Sequence, residues 1–332
     1  MIVKQLGNSD IRLSAMGLGT WAIGGSGYDY GWGPQDDKDS IATIRRAIEL
    51  GINWIDTAPV YGLGHSEEIV GEAIRGLRDR VFISTKCCFV WDENREISCS
   101  LKKNSIRTEV EASLRRLKLD VIDLYQIHKP IPIEDIEEGW STLADLMKEG
   151  KIRYAGVSSF TLEQLKRVHA IHPVIFIQPG YNMIQNEIET DGVLEYCGLN
   201  NIGVVTYSSM YMGMLTGKFN AERVSNLPND DYRRSEQYFN EPFLSENLRF
   251  VEKLRPIAER NNKTVAQLAI AWVLRRPEVT SAIVGARRPA QIEETIPAGD
   301  WVLSHADIME LDTVINEHHV QLKKLNSRSD DS

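Results

Sequence analysis

Short runs of β-branched and aliphatic residues alternate with longer stretches of helical period almost from one end of the chain to the other. The strand-like runs fall at 15–18, 52–56, 81–86, 121–127, 152–157, 174–178, 202–206 and 281–284. Between them, apolar positions recur every three or four residues over 38–50, 66–76, 104–118, 135–149, 161–169 and 187–199, the spacing of amphipathic helices. Gly51, Gly150 and Gly203 stand where a helix must end before the next strand. Ahead of the first run, Ile2-Val3-Lys4 and Ile11-Arg12-Leu13 flank Gly7-Asn8-Ser9-Asp10, a hairpin pattern. Eight strand–helix units on short connections predict an α/β protein with a parallel sheet. The number eight favours closure into a (β/α)8 TIM barrel behind an N-terminal β-hairpin; a doubly wound open sheet is the alternative.

One segment breaks the rhythm. Residues 208–241 form a long polar connection with scattered aromatics, the kind of loop that serves as a lid in compact proteins. Extra C-terminal helices are predicted at 243–260, 264–276 and 304–317. No linker or shift in composition divides the chain, so it reads as one barrel domain over 1–325 with a frayed tail over 326–332.

Composition narrows the partners. A formal net charge of −9, with no basic run longer than a pair, argues against nucleic-acid or anionic-membrane surfaces and for a small-molecule substrate. The start, Met1 to Asp10, lacks the apolar stretch of a signal peptide, and no segment reaches membrane-spanning length. Cys87, Cys88, Cys99 and Cys197 have no CxxC spacing, so reduced thiols in the cytoplasm are expected. Cys87-Cys88, directly after Lys86, read as packing residues. No His, Cys or Asp spacing resembles a metal site.

Candidate chemistry collects at the C-terminal ends of the strands, where such barrels build their sites. Asp56, Lys86 and His128 close the second, third and fourth strand runs, about 4.8 Å apart from neighbour to neighbour. Tyr61 follows Asp56 by five residues and can fold back over them. A lysine beside a tyrosine lowers the phenol from its ordinary ~10, and an aspartate beside the lysine keeps it charged. Taken singly, each residue could be a satisfied core group; together they read as a proton-transfer site. A glycine-rich dinucleotide fingerprint is absent: Gly17-Leu18-Gly19-Thr20-Trp21 leaves Ala22 where GxGxxG needs Gly.

The stretch from Gly51 to Gly71, around Asp56-Thr57-Ala58-Pro59-Val60-Tyr61, resembles the first signature of the aldo-keto reductases almost position for position. Ser84-Thr85-Lys86, Leu124-Tyr125-Gln126-Ile127-His128, Lys151 to Ser158 and Ile283 to Arg288 resemble later segments of that family in the same order. The bacterial general-stress and inositol-operon type branch is the most similar.

That resemblance implies an NADP(H)-dependent oxidoreductase acting on a carbonyl or alcohol, as a monomer or weak homo-oligomer. Tyr61 would be the general acid, Lys86 and Asp56 its supports, and His128 the residue that orients the substrate oxygen. Ser158 and Gln178 would hold the nicotinamide carboxamide and Tyr207 would stack on the ring. Gly19, Thr20 and Trp21 would let the first loop approach it. Ser208, Gly213, Leu215 and Lys218 would cover the pyrophosphate, and Gly285, Arg287 and Gln291 the adenosine 2′-phosphate. The sequence departs from the family at Ser159 and Thr295, where asparagines are usual. Trp21, Tyr28, Trp32 and Trp91 are the expected walls of the substrate pocket. Two other functions remain open on sequence alone. One is a cofactor-sensing binding module of the potassium-channel-subunit type. The other is a barrel lyase with Lys86 as Schiff-base nucleophile, which requires a neutral lysine.

Overall fold

The computed structural model describes residues 1–329. An antiparallel hairpin, β1 (Val3–Gln5) and β2 (Arg12–Ser14), leads into β3 (Met16–Gly19), β4 (Trp54–Asp56) and β5 (Phe82–Cys87). A second hairpin follows, β6 (Phe89–Trp91) with β7 (Ile97–Cys99). Then come β8 (Ile122–Ile127), β9 (Ile152–Ser158), β10 (Phe176–Gln178), β11 (Gly203–Thr206) and β12 (Val279–Gly285). β3, β4, β5 and β8 to β12 pair in parallel and close on themselves as an eight-stranded barrel, β12 returning to β3. The fold is a (β/α)8 TIM barrel.

After the first six barrel strands come α1 (Asp37–Glu49), α2 (His65–Ala73), α3 (Lys103–Leu117), α4 (Ile136–Lys148), α5 (Leu162–Ile171) and α6 (Val193–Leu199). Between β11 and β12 lie α7 (Ala221–Ser225), α8 (Phe243–Arg260) and α9 (Val265–Leu274), and α10 (Pro289–Thr295) and α11 (His305–Ser329) end the fold. Local chemistry sets several of the starts. Asp36 accepts from the Asp39 amide ahead of α1, and Thr161/Gln164 and Thr264/Gln267 form capping boxes on α5 and α9.

Two apolar regions hold the barrel. The outer one fills the space between strands and helices, with Ile44, Ile55, Trp140, Leu143 and Ile177 among its members. The inner one fills the lower barrel with Trp54, Leu124, Phe176, Val205 and Ile283, and the N-terminal hairpin caps it with Leu6, Ile11 and Leu13. Those three hairpin side chains are wholly buried, worth roughly 1.5–3 kcal/mol each. Gly17 makes room for the largest interior residue, since a Cβ there would lie 2.0 Å from the Trp54 ring.

The structure departs from the sequence reading in four places. The helix expected over 187–199 is a short 3-10 turn at Glu187–Glu189 followed by α6, because Gly192 turns left-handed (φ +86°) and Asp191 accepts from the Val193 amide. Residues 89–99, where the sequence pattern gave no strand, pair into β6 and β7. The connection over 208–241 is built of 3-10 turns and the short α7 rather than being structureless. The last helix does not stop at 317: its buried stripe, Leu311, Ile315, His318, Leu322, continues through a histidine that interrupts the apolar pattern. That helix runs past Asn326, where fraying was expected, to Ser329; residues 330–332 of the expected tail lie outside the described residues. Among the described residues, no helix is long and apolar enough to cross a membrane.

Candidate active site

Side chains two apart on a strand share a face, so β5 turns both Ser84 and Lys86 into the barrel and β8 does the same with Gln126 and, just past its end, His128. The register sets Asp56 opposite Ser84 and Lys86 opposite Gln126. From there the Lys86 Nζ reaches three acceptors: Asp56 Oδ2 at 2.7 Å, the Thr57 carbonyl at 2.8 Å and Tyr61 OH at 3.4 Å. Asp56 Oδ1, on the far side, accepts from Gln178 Nε2 at 2.8 Å, Ser84 Oγ at 3.2 Å and Gln126 Nε2 at 3.4 Å. Asp56 and Lys86 are both buried, a costly arrangement unless every valence is met, and this network meets it.

Tyr61 sits in a turn closed by its own amide donating to the Ala58 carbonyl at 3.1 Å and the Ser66 amide donating to its carbonyl at 3.1 Å. The turn touches the loop after β3 backbone to backbone. A Cβ on Gly62 would lie 2.3 Å from the Gly24 carbonyl oxygen, so neither loop could approach with a larger residue there. The contact brings the Trp21 ring alongside Tyr61, centroids 6.2 Å apart. The His128 ring meets Tyr61 edge-on at 5.8 Å and Phe89 at 4.9 Å.

The electrostatics differ in one respect from the sequence reading. Burial, and then the negative charge of Asp56, hold the Tyr61 phenol well above its ordinary value rather than below it. Lys86 at 3.4 Å does not reverse that. The ammonium lies closer to Asp56, at 2.7 Å. Burial also lowers the Lys86 ammonium, opposed by Asp56. His128 is pushed well below the usual histidine range by burial and by the neighbouring charges of Lys86 and Lys129, so its ring is neutral at pH 7.

Asp56, Tyr61 and His128 open onto a cavity of about 540 Å³, with Lys86 beneath them. Most residues singled out in the sequence line it: Gly19, Thr20, Trp21 and Trp32 from the first loop, Ser158 and Gln178 from β9 and β10, Tyr207, Ser208, Gly213 and Lys218 after β11, and Gly285, Arg287 and Gln291 after β12. Three do not. Leu215 is wholly buried in the outer core. Tyr28 is buried behind the wall, its hydroxyl close to Gly24, and Tyr30 lines the cavity instead. Trp91 lies over the Arg116 guanidinium at 5.9 Å, outside the cavity; Phe89, two residues earlier in the hairpin, takes the wall position.

The far end of the cavity is strapped by its own side chains. Arg287 donates to Gln35 Oε1 at 2.6 Å, to the Trp32 carbonyl at 3.2 Å and to the Pro34 carbonyl. Gln291 Oε1 accepts from the amides of Arg287 at 2.7 Å and Arg288 at 3.1 Å. Lys218 pairs with Glu294. Arg288 is exposed, its guanidinium 3.9 Å from Asp39. Lys129 donates to Ser159 Oγ at 3.1 Å, which lies 3.3 Å from Tyr207 OH. Ser159 and Ser208 both hold left-handed backbone (φ +60° and +63°), strain concentrated at the rim.

These residues suit a nicotinamide dinucleotide. At the junction of β3 and β12 a Cβ on Gly285 would meet nothing nearer than the Gly19 carbonyl at 4.0 Å, an open cradle for a close-lying ligand. Ser158, Ser159 and Tyr207 bring hydroxyls to the lining of the same cavity. Sequence reasoning missed Thr57, Ser84, Gln126, Phe89 and Lys129; for Ser84 and Gln126 the signal was there, two residues before Lys86 and His128.

Residues 15–316 match the aldo/keto reductase family. The chain is 41% identical to the aldo-keto reductase YhdN of Bacillus subtilis, over 95% of this chain and 94% of that one. It is 36% identical to the NADH-specific methylglyoxal reductase of Escherichia coli, over 91% and 94%. Among solved structures, the glycerol dehydrogenase AKR11B4 of Gluconobacter oxydans superposes with a TM-score of 0.85 at 37% identity, covering 95% of both chains.

Proposed function

The chain belongs to the aldo/keto reductase family and is an oxidoreductase, and on that premise we propose that it reduces small aldehydes, ketones or dicarbonyls, or oxidises the matching alcohols, with Tyr61 as the proton donor and NADP(H) as the preferred cofactor. The observation that carries the reading is the Lys86 Nζ held between Asp56 at 2.7 Å and Tyr61 OH at 3.4 Å beneath a cavity that also holds His128.

A bound nicotinamide supplies or accepts the hydride. Tyr61 gives its proton to the carbonyl oxygen, and the Lys86 ammonium stabilises the phenolate left behind. His128, neutral, has a ring nitrogen to hydrogen-bond the same oxygen and fix its direction. Asp56, with Gln178, Ser84 and Gln126 on its other oxygen, keeps Lys86 charged and aimed. That charge also argues against a Schiff base, since a nitrogen with three acceptors around it has no free lone pair to attack. Trp21, Trp32, Tyr30 and Phe89 make the substrate end apolar and exclude water. The whole site comes from one chain, which supports action as a monomer or weak homo-oligomer. The four unpaired thiols support a cytoplasmic setting.

The relatives' names do not fix the cofactor, since the Escherichia coli protein is called NADH-specific. The cations after β12 favour a 2′-phosphate, with Arg288 as the contact in place of Arg287, whose guanidinium is already engaged. A screen of nicotinamide absorbance against aldehydes, dicarbonyls, sugars and polyols, in both directions and with both cofactors, tests the reading. Turnover with at least one class that disappears in Tyr61→Phe is expected. Turnover that survives this substitution overturns the role of Tyr61.

A further inference from the structure

We infer that Cys88 and Cys99 are a hydroperoxide-sensitive dithiol that closes to a disulfide and, through Phe89, reshapes the substrate end of the cavity. The backbone brings the two together although they are eleven positions apart. In the β6–β7 hairpin Phe89 stands opposite Cys99, and the Ser100 amide donates to the Cys88 carbonyl at 2.8 Å, so Cys88 and Cys99 are diagonal neighbours across the ladder. On a regular strand such a diagonal pair would point to opposite faces. Cys88 does not lie on a regular strand. Its φ of +108° breaks the alternation between β5 and β6; its thiol donates to the Ile131 carbonyl at 3.4 Å and interacts with the Cys99 thiol. Backbone this unusual at a non-glycine residue is a strained feature beside the active site.

The two sulfurs are set up for different parts. Cys99 is half-buried and within reach of solvent, whereas Cys88 is wholly buried. The interaction between the two thiols lowers Cys99 from its ordinary value and raises Cys88. Cys99 is therefore the thiolate that a hydroperoxide meets first. Its sulfur attacks the peroxide O–O bond, becomes a sulfenic acid and releases water or an alcohol. Cys88, losing its proton, then attacks that sulfur and expels water. Two thiols lose two protons and two electrons, and one hydroperoxide is reduced to water and an alcohol or a second water. Glu109 is the nearby group able to accept the Cys88 proton. Its Oε2 takes the Cys88 amide at 2.9 Å, and burial raises its carboxyl to about 7, so it is part ionised near neutrality. Cys87, also buried, has its thiol 3.6 Å from the Gln126 carbonyl and takes no part.

Phe89 carries the effect to the site. It is bonded to Cys88, faces Cys99 across the hairpin, and its ring meets His128 at 4.9 Å while lining the cavity. Linking the sulfurs imposes disulfide geometry on the two residues that flank it. The oxidised form should bind the carbonyl substrate differently with the proton-transfer network intact, a change in KM more than in kcat.

The test uses the full-length protein, reduced and then treated with hydrogen peroxide, alkylated and mapped by peptide mass. A Cys88–Cys99 linked peptide that dithiothreitol reverses is expected, together with a KM change of about tenfold, the scale of one misplaced apolar contact in a pocket. Cys99→Ser should form no link and should hold its KM constant through the same treatment. Cys88→Ser should instead take Cys99 on to the sulfinic acid. If wild type also ends at the sulfinic acid without a link, or is unmodified, the dithiol is ruled out. A link that leaves KM unchanged rules out the coupling through Phe89. The mass readout stands whatever the substrate proves to be.

Discussion

At the end of the cavity built by β4, β5 and β8, strand ends aim three of the four proposed proton-transfer residues, and the Asp56–Lys86 pair among them is fully bonded by the protein's own groups. At the other end, after β11 and β12, the groups lie on loops and on α10 and are occupied with one another: Arg287 with Gln35 and two carbonyls, Lys218 with Glu294, Gln291 with two amides. The first end is preorganised, with its geometry set by the barrel, so little reorganisation is left for the reaction. The second must exchange existing bonds for ligand bonds, so its contribution to affinity is a difference between two sets of contacts. One consequence is that side chains at the first end should act mainly on rate and those at the second mainly on binding.

The largest effect that could break this contrast belongs to Tyr61. Tyr61→Phe keeps the ring and its packing, and should cost roughly 10²–10⁴ in turnover with cofactor affinity unchanged, read by kcat beside fluorescence titration of the cofactor. A comparable loss of affinity would mean that the two ends are not separable.

Removing Lys86 tests how far preorganisation is also stability. Lys86→Met strands Asp56 without its counter-charge and should lower unfolding free energy by about 3–5 kcal/mol in urea titration, along with activity. Adding Asp56→Asn should recover part of the stability and none of the activity.

The pH dependence is sharper than the sequence suggested. Because the folded phenol is raised, Tyr61 remains a proton donor throughout the neutral and mildly alkaline range. Carbonyl reduction, with hydride transfer made rate-limiting, should therefore stay level as pH rises to about 10, the ordinary phenol value. Alcohol oxidation needs the phenolate and should climb about tenfold per pH unit over the same range. A fall in reduction below that pH would show that Lys86 depresses the phenol once the cofactor is bound.

The smallest effects lie at the loop end. Arg288→Ala should weaken NADPH binding on the order of tenfold, the loss of one charge-assisted bond, and leave NADH untouched. Arg287→Ala should weaken both alike, because it releases the segment from Trp32 to Gln35 rather than a phosphate contact. The reverse pattern would restore Arg287 to the role the sequence suggested.

What could be read from the sequence follows the same division. Strand period and the spacing of Asp56, Lys86 and His128 were legible because a parallel barrel turns position along a strand directly into position in space. Tyr61 was legible from its place in the signature. Gln178 lines the cavity as expected, but its amide nitrogen is turned onto Asp56, a choice set by a neighbouring strand and invisible locally. Phe89 rather than Trp91 reaches the cavity because the β6–β7 hairpin went unrecognised: the two share a face of β6, and Phe89, nearer the end of β5, is the one beside His128. The engagement of the Arg287 guanidinium was hidden for a related reason. Its partners, Trp32 to Gln35, lie some 250 positions away in the sequence, and no local pattern records them.

The N-terminal hairpin, with Leu6, Ile11 and Leu13 plugged beneath Trp54, has a kinetic meaning beyond its share of stability. It stoppers one end of the barrel, so cofactor, substrate and product must all pass through the same doorway. Whichever molecule lies beneath another has to arrive first and leave last. Product-inhibition patterns should accordingly show an obligatory order of addition and release. Opening the floor by shortening Leu13 should leave that order intact, because the way through would still be blocked by Trp54 and Phe176.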